Sequence, residues 1–186
     1  AAVALAREAA GSMVDSDDSA PDAVYVPSNQ HVTICATRDA EVALCSAPCD
    51  AAPRQIKRLA PASMRRSTRG QGSNTRFICD VLPHDDPPAA HLLVVEVRTP
   101  AGHSSSYPPH FFFNETAPTE TQLEETYYHR LNPPQGFAFQ RVYTDDRSLD
   151  EAMAVEDHDV VMVPRGYHPV VVPHGYDSYY LNVMAG

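Results

Sequence analysis

EETYYHRLNPPQGFAFQRVY, residues 124–143, reads as two strands joined by a Pro-Pro-Gln-Gly turn. In the first strand Glu125, Tyr127 and His129 alternate onto one face, because side chains along an extended chain point to opposite sides in turn. In the second, the turn residues give way to FAFQRVY (137–143), a β-rich run of aromatic and branched residues. Outward from this pair the same pattern recurs at 24–26, 31–35, 41–46, 77–82, 91–98 (HLLVVEVR), 159–163, 170–172 and 179–184. One stretch, SLDEAMAV (148–155), predicts a short helix, with Ser148 as N-cap and Glu151 three residues on. Seventeen prolines against eight glycines suit many short strands joined by rigid turns. The expected class is therefore all-β, a sandwich or barrel.

The composition narrows the function. Fourteen basic against 24 acidic side chains leave a formal charge of −10, which argues against binding a nucleic-acid backbone. No apolar run approaches the roughly 18 residues of a spanning helix. Arg7 and Glu8 interrupt the alanine-rich start and no basic region precedes it, so a signal peptide is not expected and the default is cytoplasmic. Cys35, Cys45, Cys49 and Cys79 lack the spacing of a zinc knuckle and read as buried thiols. Residues 50–76 hold seven of the 14 basic residues, without alternation or interleaved aromatics, and read as a solvated linker.

Nine histidines in 186 residues direct attention to metal. Three elements belong together. Tyr107-Pro108-Pro109-His110 delivers a histidine from a rigid loop, the strand at 124–129 offers Glu125, and Asp159–His168 ends in a Pro-x-Gly turn followed by His168. Imidazole and carboxylate converging inside a barrel make an open site for a divalent metal such as Zn, Fe or Mn. His129 is either a group that meets substrate or a packed strand histidine. Arg141, on one face with Phe137, Phe139 and Tyr143, needs a counter-ion if that face points inward; a sugar-acid carboxylate or an acidic side chain would supply one. Tyr180 and Asn182 alternate onto one face of the last strand, as pocket lining or as core.

These elements resemble the two motifs of the cupin superfamily. SSYPPH (105–110), residues 124–155 and VPRGYHPVVVPHGYDSYYLNVMAG (163–186) are similar to the 5-deoxyglucuronate isomerase family of bacterial myo-inositol catabolism, whose members carry two cupins. Residues 22–48 resemble the closing strands of that family's first cupin. The resemblance implies a double-stranded β-helix (jelly-roll) barrel, with 1–49 as the latter part of the first cupin, 50–76 as linker and 77–186 as the metal-bearing cupin. It implies metal ligands His110, Glu125 and His168; beside it, the strand patterns offer His129 or Tyr180 as the catalytic group and Arg141, Tyr143 and Asn182 as substrate contacts. The implied activity is metal-dependent conversion of 5-deoxy-D-glucuronate to 5-dehydro-2-deoxy-D-gluconate. A uronate ketol-isomerase of pectin breakdown and a non-catalytic sugar-binding cupin are the alternatives. Oligomeric state is not readable, and a homo-oligomer paired through strand edges stays open.

Two departures stand out. Phe112 occupies the place of the family's second first-motif histidine, and His158-Asp159 replaces the usual Gly-Asp. Opening strands for the first cupin are not found before Ala1, which reads as missing sequence, since a lone half-barrel leaves open sheet edges.

Overall fold

The computed structural model describes residues 2–8, 20–49, 55–83, 92–106 and 123–186. Fourteen strands run in chain order among them: β1 (Ala2–Glu8), β2 (Asp22–Val26), β3 (Ala40–Ser46), β4 (Lys57–Leu59), β5 (Arg65–Arg69), β6 (Arg76–Leu82), β7 (Leu92–Thr99), β8 (Ser104–Ser105), β9 (Glu124–Asn132), β10 (Phe137–Tyr143), β11 (Asp150–Glu156), β12 (Val160–Val163), β13 (Val170–Val171) and β14 (Asp177–Ala185). They form a sheet ordered β3-β1-β2-β4, a six-stranded sheet β12-β9-β14-β7-β6-β5, and a sheet β11-β10-β13-β8, with antiparallel pairing throughout. Among the described residues no helix is long and apolar enough to cross a membrane.

The six-stranded sheet is packed on both faces. Leu92, Val94, Tyr179 and Leu181 meet Val3, Tyr25 and Leu59 of the first sheet in one core. Val97, Tyr127, Leu131 and Tyr180 meet Ala138, Val142, Val155 and Val170 in the other. Burial on both sides explains why HLLVVEVR is almost continuously apolar, as buried strands are. The sheets face one another without joining into a continuous hydrogen-bonded barrel among the described residues.

Four expectations are corrected. Residues 150–156 form β11, not a helix, paired along their whole length with β10 from Phe137↔Glu156 to Tyr143↔Asp150. Tertiary pairing overrides a helix-favouring composition here. Ser148 caps no helix; its N–H and hydroxyl donate to Asp146 Oδ1 in the turn. The basic 50–76 stretch contains β4 and β5. The β5 side chains are polar and mostly exposed, so no apolar alternation marks an edge strand held by backbone bonds to β6. Residues 31–35 are not a strand, and Cys35 is exposed rather than buried. Ala2–Glu8 is a strand that alanine's weak β-preference conceals.

The first sheet is tied to the rest by charge as well as by packing. Arg130 on β9 donates to Glu41 on β3 and to Asp157, and the Tyr128 hydroxyl donates to Glu41. His158, in the turn before β12, adopts φ 73, a conformation that favours glycine, and its Nδ1 lies 2.7 Å from the Tyr128 hydroxyl. Although burial opposes it, bonding to Arg130 and Tyr128 holds the Glu41 carboxyl below its ordinary 4.5. Arg58 lowers Asp22, Arg141 lowers Asp150, and bonds from Thr144 and Ser148 bring Asp146 down to about 2. A carboxylate whose folded pKa lies below its unfolded one adds stability that is complete above the unfolded value and is lost as pH falls through the folded one. Melting temperature should therefore drop steadily from pH 4.5 towards 2, measured by circular dichroism at fixed ionic strength. A flat profile across that window would contradict these pairings.

Candidate active site

The alternation along β9 turns Glu125, Tyr127 and His129 into the space between the six-stranded sheet and β10. On the neighbouring β14, Tyr180 is paired with His129 and Asn182 with Tyr127, so the two strands present one polar ladder. Glu125 is only 4% exposed. Its Oε2 accepts from the Tyr127 hydroxyl at 3.0 Å and from Asn182 Nδ2 at 2.9 Å. These two donors fix the carboxylate so that Oε1 points at His168 Nε2, 3.6 Å away.

His168 arrives on the other side by a Pro-x-Gly turn. Gly166 takes φ +94, open to glycine and disfavoured for other residues, and its carbonyl accepts from His168 Nδ1 at 2.9 Å. A carbonyl can only accept, so Nδ1 carries a proton, and in the neutral ring Nε2 turns its lone pair towards Glu125. Two buried electron-rich donors thus face each other. Their separation is what two ligands of one ion span when each sits roughly 2.0–2.2 Å from it. Both donors suit a borderline divalent metal.

Beside this pair lies a cavity of about 270 Å³, lined among others by Glu125, Tyr127, Tyr180, Asn182 and Ser106. Burial raises the pKa of the Tyr180 hydroxyl, against bonds from Ser105 and Ser106, so the phenol keeps its proton. Burial raises Tyr127 further, and the charge of Glu125 adds to the effect. His129 is fully buried, and burial lowers its pKa from the ordinary 6.5. Its Nε2 lies 2.9 Å from Gln140 Oε1, so that nitrogen carries a proton, and this bond works against the effect of burial.

A profile of the KduI/IolB family matches residues 6–186. The chain belongs to the KduI/IolB family. Among relatives of this family, the "5-deoxy-glucuronate isomerase" of Halalkalibacterium halodurans is 55% identical over 166 residues, covering 89% of this chain and 61% of that protein. The protein of the same name from Bacillus subtilis strain 168 is 53% identical, with 89% and 60% covered. The chain thus spans about three-fifths of the length of these curated relatives. Among solved structures, an IolB-like protein from Salmonella typhimurium LT2 superposes with a TM-score of 0.87 at 45% identity, covering 100% of this chain and 74% of that one. The all-β, cupin-type architecture expected from the sequence is the fold found.

Against this KduI/IolB frame, the structure brings together Glu125, His168, Asn182, Tyr180 and His129. His110 lies outside the described residues, as does Phe112. Among the described residues no group of three His, Cys, Asp or Glu side chains is assembled for a metal. Arg141 and Tyr143 are not at the cavity. Arg141 is exposed and forms a two-pronged pair with Asp150 at 2.8 Å, and Tyr143 packs against Tyr167 with its ring covered by Arg141. The register of β10 turns Ala138, Gln140 and Val142 inward instead, while Phe137 stacks on Phe139 and on Tyr176. Sequence reasoning missed Gln140 and, having put Tyr127 on the face of Glu125, gave it no role. The regular alternation through Glu125 was the available signal for Tyr127.

Proposed function

We propose that this chain carries the active site of a metal-dependent aldose–ketose isomerase that converts 5-deoxy-D-glucuronate to 5-dehydro-2-deoxy-D-gluconate in the cytoplasm. The observation that carries the reading is the buried Glu125–His168 pair at the cavity, in a chain whose relatives bear that enzyme's name. Glu125 and His168 are the proposed ligands of a divalent Zn, Fe or Mn ion, with His110 as a third. Bound there, such an ion would act as a Lewis acid on the sugar's carbonyl and adjacent hydroxyl oxygens.

The chain's own groups divide the remaining work. Tyr127 and Asn182 orient Glu125, whose carboxylate is then committed to holding the ion rather than to moving a proton. Tyr180 reaches the cavity wall with a protonated hydroxyl, suited to donating to a substrate oxygen as the proton next to the carbonyl shifts. His129 lies behind Tyr180, ring centroids 5.7 Å apart, and its place is to pack and polarise that tyrosine rather than to meet the sugar.

Metal-stripped protein should lose isomerisation of 5-deoxy-D-glucuronate, followed by proton NMR under nitrogen, and regain it when one of the three ions is restored. Failure of the reloaded protein to form the 2-keto product overturns the reading. Turnover of a pectin-derived uronate instead would assign the reaction to the other branch of the family.

A further inference from the structure

The wall of the cavity opposite Glu125 is basic. Arg65, Arg69 and Arg76 line it together with Ile78, Asp80 and Val97. The register explains how a strongly acidic chain brings them there. In β5 and β6, Arg65 is paired with Asp80, Ser67 with Ile78 and Arg69 with Arg76, while Ile78 and Asp80 continue across to Val97 and Val95 of β7. Alternation therefore puts these side chains on the face of the six-stranded sheet that carries Tyr127 and Tyr180.

The three arginines are not equivalent. Arg65 is neutralised by Asp80, whose Oδ2 accepts from Nε at 2.8 Å. Arg69 and Arg76 sit directly opposite each other, an arrangement that is unfavourable for like charges. Arg76 is anchored by a bond from Nη1 to the Asn74 carbonyl at 3.1 Å, over the turn where Gly70, at φ +77, leaves room for its guanidinium. Among the described residues no carboxylate is recorded as an ion-pair partner of either, and the charge of Arg76 is felt at the Tyr180 hydroxyl. Arg69 is exposed on the edge strand and Arg76 is half-buried, yet both line the cavity that the buried Glu125 carboxylate also lines.

We propose that Arg69 and Arg76 form the subsite for the carboxylate of a sugar acid, with the carbonyl end of the molecule turned towards Glu125 and His168. This rests on the isomerase reading for the second half of the statement only; the anion subsite stands on the arginine pair itself. A planar guanidinium receives a carboxylate through paired charge-assisted bonds, and a second one beside it relieves the repulsion between the two. The subsite gives a role to two of the seven basic residues in the stretch that the sequence leaves as linker.

The test compares binding of D-glucuronate with that of D-glucose by calorimetry at fixed ionic strength. The protein should prefer the uronate. Arg69→Gln and Arg76→Gln should each reduce that preference roughly tenfold or more, and Arg76→Lys by less, since it keeps charge without the fork. Arg66→Gln, on the other face of β5, should leave the preference intact. Equal affinity for the two sugars in the unaltered protein, an unchanged preference in both glutamine variants, or the same loss from Arg66→Gln would each overturn the subsite. Selective uronate binding without isomerisation of 5-deoxy-D-glucuronate would sink the proposed reaction and leave the subsite standing.

Discussion

Glu125→Gln is expected to abolish isomerisation, lowering kcat/KM by roughly 10³-fold or more, while leaving the fold intact. The residue is buried, and its Oε2 receives two donors, from Tyr127 and Asn182. Glutamine has the same shape and can keep its oxygen in that position. Its amide nitrogen then faces His168 Nε2, which presents a lone pair, so the substitution turns two facing acceptors into a donor and an acceptor. It also removes a buried charge that is costly without a partner cation. The apo protein should therefore melt within about 2–4 °C of the unaltered one, or above it. Metal affinity should fall by more than the roughly 10–100-fold typical of losing a supporting bond around a ligand. Retention of a tenth of the activity would remove Glu125 from the ligand set. Loss of the folded state would make its role structural. Reading activity, metal content and melting on one preparation separates these outcomes.

The same residues mark how far the sequence could be read. Glu125, Tyr127 and His129 were legible because β9 alternates without interruption, and His168 because a Pro-x-Gly turn has few conformations. Their convergence is a tertiary fact, and it was the resemblance to the two cupin motifs that implied it. Arg141 was misplaced for a specific reason. In FAFQRVY one face holds Phe137, Phe139, Arg141 and Tyr143, and the other Ala138, Gln140 and Val142, so bulk pointed to the wrong face. Which face turns inward is set by the pairing of β10 with β11 and β13, and that pairing is not written in one strand. Strand β5 was invisible because RRSTR has no apolar periodicity; its strand character comes from backbone bonds to β6. The helix expected at 148–155 failed where DEAMAVE finds a partner strand. Local preference settles an element only when nothing non-local competes for it.

Gly166→Ala is expected to cost about 3 kcal/mol or more in stability and to weaken the site through His168. Gly166 stands at φ +94, and a Cβ there would lie 2.4 Å from the Tyr143 carbonyl oxygen and 2.9 Å from its carbon. Those atoms are backbone and cannot swing aside. They are held by the reciprocal bonds between Tyr143 and Tyr167, at 2.8 and 2.9 Å, which would have to open. Gly175 supplies the internal control, since it has the same φ of +94 but nothing within 4 Å of a Cβ. Gly175→Ala pays only the conformational penalty of about 1 kcal/mol, or roughly 2–4 °C in melting temperature. Gly166→Ala should lose at least twice as much. Because the Gly166 carbonyl also orients the His168 ring, metal affinity should fall roughly 10–100-fold in Gly166→Ala and stay unchanged in Gly175→Ala. Equal melting shifts in the two variants would show that the close approach to Tyr143 is not what the turn requires. Unequal shifts with unchanged metal affinity would detach the turn from the site.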